Sequence, residues 1–416
     1  MVREAGNSQA EKKWLPVRFT TPNIPVFLYG AFSEAGRTGS LNGENAVSGD
    51  EAKGKKAKAY ITFPDNASTI EFRYAISFIS AEQAKKNFEN ELKNTGFEDL
   101  KNAGEQVWAK TIGQIRIEGG TEAQKRSFYS SLYRTYERMV DISEDNQYYG
   151  GYDKKIHTSN RPFYVDDWTW DTYLAHHPLR VILNPSQEED MLQSFVNMYE
   201  QSGWMPTFPV LFGDHACMNG FHSSVTLLDG YRKGLKNFDI AKGYEGMKKN
   251  AEQATMLPWR NGPKCELDDI FHSKGFFPAL SQGEKDAPWK TQKRVRFLLD
   301  VWFKDNIFGI PGDEDGGGMT AFVVFSSMGF YPITPGLPVY TIGSPVFEKV
   351  TIDLPNGKEF KVLAKNCSVT NKYIQSAKIN DKALNVPTFT HEELVNGGTL
   401  ELEMGPLPNK NWGTGK

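Results

Sequence analysis

The sequence predicts an α+β protein with more than one domain. Strand-like segments occupy the first 80 residues, amphipathic helical segments follow, and alternating strands return toward the C-terminus. A length of 416 residues is enough for two or three domains. We predict a strand-rich domain at 1–80, a helical linker at 81–118, and a helical domain at 119–416 whose strands begin near residue 339.

The composition excludes several classes of protein. Hydrophobic residues make up 39% and charged residues 24% of the chain, as in ordinary soluble globular proteins. A net charge of −3 gives no basic footprint, which argues against a nucleic-acid partner. No apolar run is long enough to span a bilayer. The first residues contain no apolar h-region, so no signal peptide is expected in this chain.

The N-terminal part is predicted to contain antiparallel strands. Val17–Thr21 and Val26–Phe32 are apolar segments bounded by proline and glycine, whereas 33–58 is predicted to be a loop. Thr69–Ile79 alternates most clearly, so we expect one buried face and one solvated face. The predicted buried residues are Ile70, Phe72, Tyr74, Ile76 and Phe78. The pattern indicates a β-sandwich with too few strands to close its own core.

Helix start signals mark the middle of the chain. Ser80 and Thr121 each stand three residues before a glutamine, which is the capping-box spacing. The predicted helices include Asp99–Lys110, Trp170–Val181, Gln187–Gln201, Phe221–Lys236 and Ile240–Ala254. Thr291 is predicted to cap a further helix, whose apolar stripe should pack on helices of 121–254 or stay partly exposed. The stripe contains Val295, Leu298, Leu299, Trp302 and Phe303.

The stretch Gly309–Tyr331 carries the first chemical cluster. Asp313, Glu314 and Asp315 lie in a glycine-rich loop before an apolar helix that begins near Met319. Free N–H groups at a helix start keep nearby carboxylates ionised, which suits a general base that activates water. The same acids also fit a polar capping loop. A calcium loop of the EF-hand kind is not expected, because it needs glutamate at loop position 12, where this chain has Val324.

The second cluster is Arg161–Pro178, which contains Asp166, Asp167 and Asp171 among tryptophan, tyrosine and phenylalanine residues. Aromatic faces stack on sugar rings while carboxylates accept hydrogen bonds from sugar hydroxyls. The alternative is that Asp166 or Asp167 caps a helix whose tryptophans lie in the core. A third cluster, Asp214–His222, lacks the spacing of a zinc site, so no metal is expected there.

These segments resemble the glycoside hydrolase family 92 α-mannosidases. The resemblance rests on RPFYVDDWTWDTYLAHHPL, CMNGFHSSVTLLDGYRKGLKNFD and GIPGDEDGGGMTAFVVFSSMGFYPITPGLPVYTIGSPVFEKVTI, and on the tail YIQSAKIND…GGTLELEMGPLPNKNWG. It implies a partial N-terminal β-sandwich, a helical linker, and an incomplete (α/α)6-type barrel with C-terminal β-strands. It also implies an exo-acting, inverting, calcium-dependent α-mannosidase for mannose-containing glycans, with α-1,2 linkages expected. Most members are secreted or periplasmic.

The resemblance assigns roles to four residues. It implies that Asp315 is the general base, that Asp313 is its partner, and that Trp170 and Asp171 hold the terminal mannose. It assigns no calcium ligands in this chain.

The chain also departs from the family pattern. By the resemblance, we expect it to open partway through the β-sandwich and to lack several barrel helices of the family between Asp286 and Ala287. The missing span carries the family's general-acid glutamate and a segment that helps to hold calcium, while Glu266 and Glu284 stand outside any matching context. Two alternatives therefore remain beside an enzyme of doubtful competence, namely a non-catalytic carbohydrate-binding remnant and a structural module.

Overall fold

The computed structural model describes residues 3–4, 24–47, 54, 56–65, 68–215, 220–253, 273, 275, 287–307, 309–312, 314 and 316–414. Contacts divide the chain into two compact units. The first unit comprises Met1–Glu105, Asp141–Phe163 and Leu211–Gly213; the second comprises Gln106–Val140, Tyr164–Val210 and Asp214–Lys416.

Within the described residues the helices are α1 (Ala81–Glu91), α2 (Phe97–Ile112), α3 (Glu122–Arg134), α4 (Thr169–Thr172), α5 (His176–Leu183), α6 (Pro185–Ser202), α7 (His222–Arg232), α8 (Ile240–Gln253), α9 (Pro288–Trp302), α10 (Gly318–Met328) and α11 (His391–Val395). The strands are β1 (Arg3–Glu4), β2 (Phe27–Phe32), β3 (Arg37–Asn42), β4 (Asn45–Val47), β5 (Ala57–Thr62), β6 (Phe72–Ser77), β7 (Ile115–Glu118), β8 (Val140–Asp141), β9 (Gln147–Gly150), β10 (Lys155–Thr158), β11 (Tyr164–Val165), β12 (Pro209–Val210), β13 (Gly213–Asp214), β14 (Phe330–Tyr331), β15 (Val339–Ile342), β16 (Lys349–Asp353), β17 (Glu359–Lys365), β18 (Tyr373–Ile379), β19 (Lys382–Ala383), β20 (Thr388–Thr390) and β21 (Gly398–Gly405).

The first unit contains two small antiparallel sheets, ordered β1-β2-β6 and β4-β3-β5, and the hairpin β9–β10. Helix α1 packs against β2 and β6, with the rings of Tyr29 and Phe88 5.2 Å apart at an edge-to-face angle. Ser80 caps this helix, because its hydroxyl oxygen accepts a hydrogen bond from the backbone N–H of Gln83 (3.0 Å). The predicted helix start is confirmed. The predicted strand Val17–Thr21 lies outside the described residues.

Two predictions for the first unit were wrong. The predicted loop at 33–58 contains β3 and β4 and the start of β5. These strands are mostly exposed, so they carry glycine, serine and lysine in place of an apolar face. In β6 the face predicted to be buried is exposed, with Phe72 45%, Tyr74 53% and Ile76 45% accessible. Alternation revealed the two faces but not which one is covered.

The second unit is built around a six-stranded sheet ordered β19-β18-β21-β17-β16-β7. Neighbouring strands are antiparallel except β17 and β21, which run parallel. The inward residues of these strands are buried and form one core with helices α3, α5 and α10; Val350, Ile352, Phe360 and Leu402 are each at most 1% exposed. The predicted alternation of the C-terminal strands is confirmed.

The helices of the second unit differ from prediction at two places. The predicted helix Trp170–Val181 is split into α4 and α5. Helix α9 begins at Pro288, not at Thr291, because proline suits the first helical turn, where its missing N–H has no partner to lose. Leu299 is buried in the core and the ring of Phe303 lies 5.8 Å from that of Phe322 on α10, whereas Trp302 is 52% exposed. The apolar stripe therefore packs partly on α10 and stays partly exposed.

Candidate active site

The two predicted chemical clusters meet where the glycine loop enters α10. A Cβ added to Gly318 would lie 2.7 Å from the carbonyl oxygen of Asp171, closer than real Cβ contacts. Gly317 is the N-cap, with φ of +93°, and a Cβ there would lie 3.2 Å from the ring of His176. Glycine is therefore required both for the left-handed backbone and for the close approach to α4 and α5.

The middle acid of the loop caps α10. Oε1 of Glu314 accepts hydrogen bonds from the backbone N–H (3.1 Å) and the hydroxyl (2.7 Å) of Thr320. Burial raises the pKa of Glu314, and the hydrogen bonds from Thr320 oppose this rise. The alternative prediction of a capping loop is thus correct for Glu314. Asp313 and Asp315 lie outside the described residues, so their predicted roles stay predictions.

The predicted sugar-binding residues lie on α4. Trp170 is 46% exposed, and its ring contacts that of His222 edge-on at 5.3 Å. The His222 ring also lies 4.4 Å from that of Tyr173, and burial lowers the pKa of His222. The backbone carbonyl of Asp171 lies beside Gly318, the first residue of α10, where the acidic loop ends. Trp170 therefore offers an accessible aromatic surface beside the acidic loop.

Asp166, two residues before Trp168, the N-cap of α4, is held by Arg138. Asp166 has a left-handed backbone (φ +64°), and its carboxylate accepts a hydrogen bond from Nη1 of Arg138. The guanidinium of Arg138 also stacks over the ring of Trp168 at 4.5 Å. Cation, carboxylate and aromatic ring together fix one border of the segment.

A buried charge cluster lies beneath α4. Nε2 of His177 donates to Oδ2 of Asp167 (3.0 Å), and Nδ1 donates to Oε1 of Glu188 (2.9 Å). Each of the three side chains is at most 1% exposed. Burial lowers the pKa of His177, but the negative charges of Glu188 and Asp167 outweigh burial and raise it to about 10. His177 is therefore an imidazolium at neutral pH.

Sequence reasoning missed this cluster. Neither Asp166 nor Asp167 caps α4, whose N-cap is Trp168 without a side-chain hydrogen bond, so the capping alternative was wrong. The available signal was weak: two adjacent histidines, and a glutamate in the first turn of α6. Nothing in the spacing of these residues shows that α5 and α6 bring the imidazole of His177 and the carboxylate of Glu188 together.

The described residues do not fit a calcium ion. Among them, no group of three or more histidine, cysteine, aspartate or glutamate side chains is placed to hold a metal. Three carboxylates near the loop each accept a hydrogen bond from a protein donor, Glu314 from Thr320, Asp166 from Arg138 and Asp167 from His177. One buried oxygen of Glu314 (Oε2) and one of Asp167 (Oδ1) have no hydrogen-bond partner among the described residues. Calcium prefers six to eight oxygen ligands, which these groups do not supply.

The family model for the glycosyl hydrolase family 92 catalytic domain matches residues 83–287 and 283–406. The chain belongs to glycosyl hydrolase family 92. The predicted resemblance is confirmed by this match, which covers most of the chain.

Solved structures of family 92 share the fold. The family 92 inverting mannosidase of Bacteroides thetaiotaomicron is 25% identical, with a TM-score of 0.84 over 95% of this chain and 75% of that chain. A second family 92 α-mannosidase of that organism is 21% identical, with a TM-score of 0.81 over 94% of this chain and 71% of the other. The predicted fold class, a β-rich N-terminal part followed by a helical part, is confirmed.

One curated relative is similar over a shorter range. The protein named an uncharacterized secreted glycosidase of Arthroderma benhamiae is 40% identical over 159 residues, or 38% of this chain. The matched part spans only 19% of that relative.

In the part of this chain that the structure describes, no helix has the length and apolarity required to cross a membrane.

Proposed function

We propose that this family 92 glycosidase is built as an exo-acting, inverting α-mannosidase for α-1,2-linked mannose. The observation that carries the proposal is the contact of Gly318 with Asp171, which joins the acidic loop to the exposed ring of Trp170. The similarity to an inverting mannosidase of Bacteroides thetaiotaomicron supports it. The name of the Arthroderma relative supports a location outside the cytoplasm.

In the proposed mechanism Asp315, assisted by Asp313, removes a proton from the attacking water. An inverting glycosidase needs that base on one side of the sugar and a general acid on the other, roughly 6.5–9.5 Å apart to leave room for the water. Trp170 would stack on the sugar ring, and Asp171 would accept a hydrogen bond from a hydroxyl. The charge cluster under α4 would keep these two residues in place.

The general acid is the component that we propose this chain lacks. The two matched segments of the family model meet at 283–287, which supports a missing segment between Asp286 and Ala287. Without an acid to protonate the leaving group, hydrolysis should be slow although mannose binds. The carbohydrate-binding remnant is therefore the second candidate function, favoured by the exposed ring of Trp170.

Calcium dependence remains a proposal taken from the resemblance. Because the described residues contain no group of three or more histidine, cysteine, aspartate or glutamate side chains placed to hold a metal, calcium binding in this chain would need Asp313, Asp315 or a restored segment. Calcium titration by calorimetry, on the chain as it stands and on a version with the segment restored, tests this directly. We expect tight binding only in the restored version.

The decisive experiment measures release of mannose from α-1,2-mannobiose by both versions. We expect the restored enzyme to be active and Asp315→Asn to lower its kcat by about 10²–10⁴-fold, the typical effect of a lost general base. Glu122→Gln is the matched control, since the Glu122 side chain is 74% exposed and remote in sequence from both clusters. Near-normal turnover in the restored Asp315→Asn enzyme would refute the assignment of the base.

A further inference from the structure

The clearest unassigned feature is the buried charge cluster of Asp167, His177 and Glu188. It is fully enclosed, so none of its groups can touch a substrate. Its chain position is nevertheless informative, because Asp167 immediately precedes Trp168, the N-cap of the helix that carries Trp170 and Asp171.

We propose that His177 is a positioning residue, a charged cross-link that fixes the segment Trp168–Thr172 to α5 and α6. The cross-link itself is independent of the proposed function. Only its expected effect on sugar binding rests on the proposed function. One imidazole links the start of the segment, through Asp167, to the first turn of α6, through Glu188.

The hydrogen-bond geometry requires a charged ring. A neutral imidazole carries one N–H, so its second nitrogen would present a lone pair to a carboxylate oxygen, which also has only lone pairs. With Asp167 and Glu188 both ionised, the two contacts are satisfied together by an imidazolium that donates twice. The raised pKa of His177 agrees with this geometry.

The surrounding charges allow the cluster to remain buried. Two carboxylates and one imidazolium leave one negative charge in excess. Arg180, 1% exposed and on the same helix as His177, interacts favourably with Glu188. Lys233, the C-cap of α7 and paired with Asp229, also interacts favourably with Glu188. Removing any single member leaves an uncompensated charge in a dry interior.

Backbone bonds show what the cross-link holds. The N–H of Asp167 donates to the carbonyl of Pro209 (2.9 Å), and the N–H groups of Asp171 and Thr172 donate to that of Trp168 (2.8 and 3.1 Å). A four-residue helix has too few bonds to be stable by itself. Its orientation therefore depends on tertiary contacts, namely the anchor at Asp167, the hydrogen bond from the Thr169 hydroxyl to the carbonyl of Thr207, and the packing against Gly318.

The test uses the full chain and needs no ligand. Amide hydrogen exchange at Asp167, Asp171 and Thr172 should accelerate at least tenfold in His177→Gln, while β17 amides change less than twofold. His391→Gln is the matched control, since His391 is another buried histidine and is bonded to Tyr340. Because His177→Gln could fail to fold, Glu188→Gln, which keeps the shape and loses the charge, provides a second version.

The two possible roles give different exchange patterns. A merely structural histidine would accelerate exchange in β17 as much as in α4, and that result would overturn the proposal. In ¹⁵N-histidine spectra we expect the wild-type His177 signal not to titrate between pH 5 and 9; a titration near pH 6.5 would also overturn it.

Mannoimidazole, measured by calorimetry, separates this proposal from the proposed function. We expect about tenfold weaker binding in His177→Gln than in the wild type. If the wild type does not bind mannoimidazole while the local exchange effect is present, the sugar-binding function fails and the positioning role stands.

Discussion

His177 and His391 are buried in the same unit, but their surroundings differ. His177 lies between two carboxylates beneath the candidate site, and its pKa is raised to about 10. His391 lies among the C-terminal strands, whose inward residues share one apolar core, and its Nδ1 is 2.8 Å from the hydroxyl of Tyr340 on β15. Burial, together with the charge of Lys233, lowers the pKa of His391 to about 3.

The contrast extends to the two regions as a whole. The sheet excludes water with apolar side chains and keeps its histidine neutral, so its stability comes from packing. The region under α4 buries ions, which contribute little net stability compared with apolar residues of equal volume. Buried charge therefore marks where orientation is needed, and the apolar sheet marks where the fold gains stability.

The largest effect should come from the sheet. Phe360 is fully buried and stacks on Phe389 at 5.7 Å. Phe360→Ala should lower the free energy of unfolding by about 3–5 kcal/mol, because it leaves a cavity in a packed core. Urea unfolding measures this, and Phe297→Ala, at a position 57% exposed, is the control with little expected change. A loss below about 1 kcal/mol would show that packing in the sheet is not the main source of stability.

The alkaline limb of the stability curve should depend on His177. Folding raises the pKa of His177 from about 6.5 in the unfolded chain to about 10. Its contribution to the free energy of unfolding is therefore complete below pH 6.5 and is lost as the pH rises through about 10. The groups that face this imidazolium are Asp167, Glu188, His176 and Arg180. Urea unfolding between pH 6 and 10 should therefore show a decline of a few kcal/mol that His177→Gln reduces. An unchanged slope in that variant would contradict the prediction.

The acid limb should depend on His391, with the opposite sign. Because folding lowers the pKa of His391, its imidazole binds a proton in the unfolded chain at a higher pH than in the folded protein. The free energy of unfolding therefore decreases as the pH falls from about 6.5 toward 3. Carboxylates also titrate in this range, so the measurement is the difference between wild type and His391→Gln. We expect a shallower decline in the variant, and an identical decline would exclude His391 as a cause.

The smallest effect concerns the cap beside His391. The hydroxyl oxygen of Thr390 accepts from the N–H of Glu393 (3.2 Å), and the Glu393 carboxylate accepts from the N–H of Thr390 (2.7 Å). Thr390→Ala should cost about 1 kcal/mol, independent of pH above about 5. If its cost instead varied with pH as that of His391→Gln does, the two neighbours would be coupled and the comparison would need revision.

The sequence predicted the elements whose pattern is local. Alternation located β16, β17 and β21, and cap residues located the starts of α1 and α3. The sequence did not predict β3 and β4, which are mostly exposed and carry no apolar pattern. It also did not predict which face of β6 is covered. A single strand cannot reveal which of its faces another part of the chain covers.

The same limit applies to the candidate site. The resemblance assigned Trp170 and Asp171 to sugar binding, which stays a prediction, and the capping role of Glu314 followed from its place before a helix. The cluster of Asp167, His177 and Glu188 did not, because its meaning depends on how α5 and α6 pack. Long-range pairing of charges has no signature in residue spacing.

Strand β7 has a consequence for how the protein is made. Its four residues pair with β16, so that Ile117 lies opposite Val350, more than 200 residues later in the chain. A pairing of such sequence separation closes a long loop before any contact offsets the entropy, which slows folding. During synthesis Ile115–Glu118 must wait, unpaired at this edge, until β16 leaves the ribosome. We therefore expect nascent chains halted before residue 349 to need chaperones that cover the unpaired strand and its side chains Ile115 and Ile117.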